Sequence, residues 1–442
     1  MAAPSVIVEI GFDLSSQGGA FLLFGSGTAT NTPDAILANP QSIFQADSSK
    51  TYPYGFGGTL FYDLTSRVKA VTITRGRSRE LDKYPTGVAN ITFHNEDRAL
   101  DPYYTAGPYY PNIKPRRDVK ISTLVPGGST AVQFTGIVED WSLDYQPSGE
   151  SVAGAVAADG FITFGGQQLA AHTATSELSG KRLNTVLSRA EVDWPLAKRN
   201  IDAGAATLQG DIVDAGTETL NYLQLVEASE PGQLFMSKAN YVTFKNRNAG
   251  AAIGTVTFSD VAGTAIPYTD IAVTYGTEML YNRVSVACLG GAPQVATNLS
   301  SQNEYGISSL DWNGLIIDST PSAALLATYL VNKYAQPDLR FEAFGVNLAG
   351  LGTAQQTIVL NIEIADIVVL EFMPNNVGTR ISKNVYITGV RHDIRPQQHS
   401  VSFSVASTDT AAFVFAGGTV SAGTAVVAAY PFSIFDTSKL GL

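Results

Sequence analysis

The sequence predicts a mainly β protein in which two β-barrel or sandwich modules flank an α+β insertion. Three observations carry this expectation. Short apolar runs alternate with polar residues at a period of two. Gly and Pro clusters separate those runs at short intervals. The period then shifts to helical spacing in one middle stretch before the strands return. The expected units are a first module at 1–165, an insertion at 166–255, a second module at 256–410 and a C-terminal arm at 411–442. A chain of 442 residues is long enough for several such units.

The first module opens with the run Val6-Ile7-Val8-Glu9-Ile10. Further strands are expected at 68–74, 88–95, 119–124 and 132–138, with Pro126-Gly127-Gly128 as a turn between the last two. A polar loop at 15–58 interrupts this series and ends in Tyr52-Pro53-Tyr54-Gly55-Phe56. A loop of that length is a functional element or an interaction arm. In the insertion, Leu183, Val186, Leu187 and Ala190 stand at helical spacing, as do Leu220, Leu223 and Val226. A hairpin is expected at 234–244. The second module is read as strands at 271–275, 282–289, 357–364, 367–372, 385–390 and 400–406. One helix lies among them near 321–335, signed by Ser319 and Thr320 followed by Pro321 at its first turn. The arm after Gly417 is rich in small residues and then aromatic, with Tyr430, Phe432 and Phe435.

Hydrophobic residues make up 45% of the chain and charged residues only 15%, against roughly 25% charged in an average soluble protein. So little charge implies apolar surface buried in the core or against other subunits. The net charge of −11 argues against nucleic-acid binding over the whole surface. A single cysteine, Cys288, excludes an internal disulfide and a zinc site built on cysteines. No secretory signal and no run long enough to span a bilayer is visible, so a membrane anchor is not expected.

One ordered series of motifs is more specific. Leu64-Thr65-Ser66-Arg67 leads into Thr74-Arg75-Gly76-Arg77-Ser78-Arg79. Then come Phe93-His94-Asn95-Glu96-Asp97-Arg98, Lys114-Pro115-Arg116-Arg117-Asp118 and Phe134-Thr135-Gly136-Ile137-Val138. This series resembles the minor tail proteins of siphophages, the baseplate-hub family of long-tailed phages. Weaker echoes follow at Phe244-Lys245-Asn246-Arg247, Tyr281-Asn282-Arg283-Val284 and Val390-Arg391-His392, so the resemblance covers most of 60–410. The long 15–58 loop departs from the family pattern. The resemblance implies tail-tube-like modules, a place at the tail tip of the virion and assembly in the host cytoplasm. It also implies partners: the distal tail protein, the tape-measure protein and tail-fibre or tip proteins. DNA would pass only transiently through a lumen.

Within that block Arg67, Arg75, Arg77 and Arg79 form a local basic strip in an acidic protein. It reads as a solvated face paired with Glu80 and Asp82, as contact with an acidic neighbouring subunit, or as the lining of a lumen. With Tyr52, Tyr54, Phe56, Tyr430, Phe432 and Phe435 it makes the candidate subunit-interface set. Tyr is a frequent anchor of interfaces. The same aromatic loop, with Tyr103-Tyr104 and Tyr109-Tyr110, would also suit a host-surface glycan, which is the alternative function.

Catalytic chemistry is not expected. The four histidines, His94, His172, His392 and His399, lack metal-binding spacing. No nucleophile elbow or phosphate loop occurs. Glu139-Asp140 and Glu363 with Asp366 are the only carboxylate pairs weighed for glycoside hydrolysis, and strand neighbours such as Glu139 and Asp140 point to opposite faces. No cofactor and no metal is expected. The resemblance implies sixfold tail-tube rings above a threefold tip, and two similar modules in one chain then suit a homotrimer, since three copies offer six ring positions.

Overall fold

The computed structural model describes residues 3–12, 60–147, 149–247, 256–261, 263 and 265–408. The 15–58 loop and the 411–442 arm, with Tyr52, Tyr54, Phe56, Tyr430, Phe432 and Phe435, lie outside the described residues.

The amino-terminal strands are β1 (Ser5–Phe12), β2 (Leu60–Asp63), β3 (Val68–Gly76), β4 (Val88–His94), β5 (Asp118–Leu124), β6 (Thr130–Asp144) and β7 (Val152–Ala158). They lie in the order β2-β1-β5-β6-β7-β4-β3, with every neighbour antiparallel. Alternation turns Val8 and Ile10, Val71 and Ile73, and Ile91 and Phe93 into one core, closed by Phe134 and Val138.

After β7 the chain enters α1 (Phe161–Gly165), α2 (Ser179–Leu187), β8 (Arg199–Ile201), α3 (Thr219–Ser229), β9 (Gln233–Met236) and β10 (Val242–Lys245). Leu183, Val186 and Leu187 of α2 share a core with Leu223 and Val226 of α3, at the spacing of an amphipathic helix. Each such buried side chain contributes about 1.5–3 kcal/mol. Strands β9 and β10 form the expected hairpin, and β8 adds to β10 in parallel.

The remaining elements are β11 (Val256–Ser259), β12 (Ile266–Pro267), β13 (Asp270–Tyr275), β14 (Arg283–Cys288), β15 (Gln294–Thr297), α4 (Leu299–Tyr305) and β16 (Ser309–Leu315). Then follow α5 (Thr320–Tyr334), β17 (Leu339–Asn347), α6 (Thr353–Asn361), β18 (Ile367–Phe372), β19 (Ile381–Arg395) and β20 (Gln398–Ser407). Helix α5 starts as its sequence signs it, with the Ser319 hydroxyl accepting from the Ser322 N–H and proline in the first turn.

Two expectations are corrected here. The stretch 357–364 is not a strand, because residues 353–361 form α6. Its buried positions are Gln356, Val359 and Leu360, a helical set, while Ile358 between them is 41% exposed. The run 282–289, expected to belong with the other strands of the second module, forms a separate sheet instead. Strands β15, β14 and β16 pair only with one another, and α5 packs on them through Leu326, Leu330 and Tyr334.

The other late strands join the early ones in one 14-stranded sheet. Strand β19 makes the connection. Its residues 381–386 pair with β18, 389–394 pair with β3, and 385–395 pair with β20. Gly76 and Gly389 face each other where the β3 pairing begins. Gly76 has φ +86°, and a Cβ there would lie 2.3 Å from the Thr388 carbonyl oxygen, so the crossing admits only glycine.

Candidate functional site

Strand β3 places Arg75 in phase with Val71 and Ile73, so its guanidinium enters the interior with only 2% of the side chain exposed. A buried cation requires a counter-charge and acceptors. Glu363, just after α6, supplies the first: its Oε1 lies 2.8 Å from Arg75 Nη1. The Met236 carbonyl at the end of β9 accepts from the same nitrogen at 3.4 Å. Glu363 also accepts from the backbone N–H groups of Lys238 and Ile364, each at 2.9 Å. Burial pushes this carboxyl up, but Arg75 and the two N–H groups overcome that and hold it below the ordinary range. Lys238 Nζ donates to the Leu360 and Asn361 carbonyls at 3.0 Å each, capping the C-terminus of α6. One ion pair thus gathers β3, the β9–β10 turn and the end of α6.

A second cluster lies beside it. Arg77 stacks 4.4 Å above the Tyr84 ring, donates to the Asp82 carbonyl at 2.7 Å and has Glu227 of α3 at 3.9 Å. Glu80 pairs with Lys333 of α5 and accepts from Tyr386 Oη of β19 at 2.8 Å. Burial raises the Glu80 carboxyl, but Lys333, Tyr386 and Arg77 bring it below its ordinary value. Glu227 has no such close cation. Burial pushes it up to about 7 despite Arg77 and the Leu234 N–H. Asp159, where β7 runs into α1, is also pushed up to about 7 by burial, although it accepts from Gly87 and Phe161 N–H groups.

The basic strip therefore divides. Arg75 and Arg77 turn inward. Arg67 makes a bidentate pair with Asp97 at 2.8 and 2.7 Å. Only Arg79 stands in water, 63% exposed, with Glu278 at 2.5 Å. Of the carboxylates weighed for hydrolysis, Glu363 is committed to Arg75, Asp366 accepts from the Glu363 N–H and Glu139 lies 3.4 Å from Arg116. His392 and His399 meet in the interior, Nδ1 to Nε2, at 3.0 Å. Burial drives both below the usual imidazole range, His399 to about 4. His94 and His172 are remote from them, bonded to Glu96 and to the Ala170 carbonyl. Among the described residues no group of three His, Cys, Asp or Glu is placed to hold a metal ion, and no helix is long and apolar enough to cross a membrane.

The opposite face of the sheet at this junction is paved with small residues around one arginine, Arg391. Gly76, Gly389, Ser404 and Ala343 form one cross-strand row, and Thr74, Arg391, Ser402 and Gly345 form the next. A cleft of about 310 Å³ opens over these rows, bounded by Arg77, Asp82 and Lys83.

Sequence reasoning singled out Arg75 but not the role of Glu363, and it passed over Lys238, Asp159 and Glu227. The available signal was an arginine in phase with two buried aliphatics, which demands a hidden partner without naming it.

A mainly β chain with one large mixed sheet and a helical insertion is the class this fold defines. That fold is shared with solved phage-type tail proteins. The 43 kDa tail protein of prophage MuSo2 from Shewanella oneidensis matches with a TM-score of 0.52 at 13% identity, over 79% of this chain and 96% of that one. The tail protein from Neisseria meningitidis MC58 matches with a TM-score of 0.52 at 10% identity, over 79% and 94%. No protein-family model and no curated protein matches the sequence.

Proposed function

We propose that this chain is a structural, non-catalytic hub protein of a siphophage tail tip, part of the virion. In this reading it works as a homotrimer whose two β modules, 1–165 and 256–410, supply six positions around a lumen. It joins the tail tube, through the distal tail protein, to the tape-measure protein and to fibre or tip proteins. The observation that carries the proposal is the β3–β19 junction, where early and late strands become one sheet keyed by Arg75 and Glu363. A ring subunit needs its two modules held at a constant angle, because any slack between them opens the closed symmetry. The small-residue face at the junction suits a lumen wall, and the shared fold with tail proteins points the same way. Native mass measurement of the purified chain, paired with a reconstruction of the tail tip containing it, tests the proposal. Three copies per ring are expected, and six full copies in one ring would overturn it.

A second reading, contact with a host-surface glycan, rests on Tyr103. That residue is 87% exposed, whereas Tyr109 packs beside Phe12 at 5.8 Å. Binding to purified host glycans that disappears in Tyr103→Ala would favour that reading.

A further inference from the structure

The cleft over the β3–β19 junction has a charge balance unlike the rest of the molecule. Most described cations near the sheet hold a carboxylate, as Arg67 holds Asp97, Arg380 holds Glu371 and Lys383 holds Asp338. Lys83 and Arg391 line the cleft, both are exposed, and among the described residues neither has a carboxylate at ion-pair distance. Arg77 forms part of the same wall. Its side chain is 9% exposed, and its Nε is enclosed without an acceptor. Arg75, also in the lining, is neutralised by Glu363, and Asp82 is the one acidic side chain there. Two cations without a carboxylate partner, Lys83 and Arg391, with Arg77 beside them held only loosely by Glu227 at 3.9 Å, therefore face one carboxylate, in a protein of net charge −11.

The floor adds a shape argument. Gly76, Gly389, Ser402 and Ser404 carry side chains of at most two heavy atoms, so a bound chain can approach the sheet closely. Ser402 and Ser404 offer hydroxyls that donate or accept.

We propose that this cleft is a docking site for an acidic protein segment, whose carboxylates pair with Arg391 and Lys83 while its backbone lies over the glycine and serine rows. A nucleic acid fits less well. The cleft lining holds no aromatic side chain on which a base would stack. A long polyanion also meets the repulsion of the whole acidic surface, which a segment of a few carboxylates largely escapes. Arg391 is the principal recognition group, since an exposed guanidinium takes a carboxylate bidentately. The inference rests on local charge and shape and does not require the tail-tip reading.

The test is fluorescence anisotropy on the full chain with a labelled oligoglutamate peptide, an oligoglutamine peptide of equal length and a single-stranded oligothymidylate. Saturable binding of oligoglutamate alone is expected, weakening as salt is raised. Arg391→Gln should weaken it about tenfold, the loss of one charge-assisted pair. Adding Lys83→Gln should abolish it. Lys114→Gln, an exposed lysine outside the cleft, should leave it unchanged. Oligoglutamate binding no better than oligoglutamine, or equal losses in Arg391→Gln and Lys114→Gln, overturns the site. Tighter binding of oligothymidylate than of oligoglutamate overturns the choice of partner.

Discussion

Arg75 and Arg79 belong to one short run of sequence and carry the same charge, yet one is sealed in the interior and the other stands in water. Arg75 has a strand position facing the core, so it must be paired, and Glu363 sits 2.8 Å away with two backbone N–H groups holding its other lone pairs. Arg79 lies beyond the end of β3, in the loop toward β4, and meets Glu278 with both side chains more than half exposed. The shorter of the two ion pairs is the exposed one. Distance is therefore a poor guide to energetic weight, and the cost of leaving a partner stranded in low dielectric is a better one.

The largest expected effect follows from breaking the buried pair. Arg75→Met should destabilise the chain by about 3–5 kcal/mol, because Glu363 then remains enclosed without a counter-charge. The lower end is expected, since Glu363 keeps 20% of its side-chain exposure. Removing both charges, as Arg75→Met with Glu363→Gln, should recover much of the loss. Urea unfolding of the two variants and the parent checks this. A single-variant loss below about 1 kcal/mol would show that the pair does not key the junction.

A middle-sized effect should appear as pH dependence, where buried carboxylates without a close cation contrast with the paired ones. Asp159 and Glu227 both stand at about 7, above their ordinary values, because burial favours the neutral form. The folded chain then holds protons that the unfolded chain has released. Their contribution is fully present below about 4 and is lost as pH rises through about 7. His392 and His399 act in the opposite sense. Their depressed values favour the folded state above about 6.5, and that contribution declines as pH falls below it, the His399 part being lost toward about 4. The two contributions oppose each other between about 4 and 6.5, so the parent should show a shallow profile there. Asp159→Asn with Glu227→Gln should expose the histidine contribution, making stability rise with pH over that window by on the order of 2 kcal/mol. Thermal unfolding across that range decides it; an unchanged slope would mean these carboxyls are not held neutral.

How much of this was readable beforehand depended on range. Strands β3, β4 and β6 were legible because their apolar residues alternate, and α5 because its cap and proline sit together. Helix α6 was not, since Ile358, Val359, Leu360 and Ile362 form a run that resembles a buried strand. Its helical face is completed by Gln356, a polar residue buried because its amide donates to the Leu348 and Leu351 carbonyls at 2.8 and 3.1 Å. Polar burial satisfied by backbone acceptors leaves no periodic mark. The junction was half legible. Arg75 announces itself by its phase, whereas Glu363 lies 288 positions away and nothing local distinguishes it. Lys83 and Arg391 also come together only because β19 lies against β3.

The smallest expected effect sharpens the contrast from its exposed side. Arg79 and Glu278 lie 2.5 Å apart with 63% and 58% of their side chains exposed. In that setting water competes for both charges, salt screens them, and ordering two long side chains costs conformational entropy. A double-mutant cycle through Arg79→Ala and Glu278→Ala should return a coupling below about 1 kcal/mol, declining further as salt is added. The same cycle on Arg75 and Glu363 should give a several-fold larger coupling that salt barely alters. Measured side by side, the cycles separate geometry from environment, because the exposed pair has the shorter contact. If Arg79 and Glu278 couple as strongly as the buried pair, the difference drawn between the two ends of the strip fails. The loop between β3 and β4 would then be held on its outer side as firmly as on its inner one.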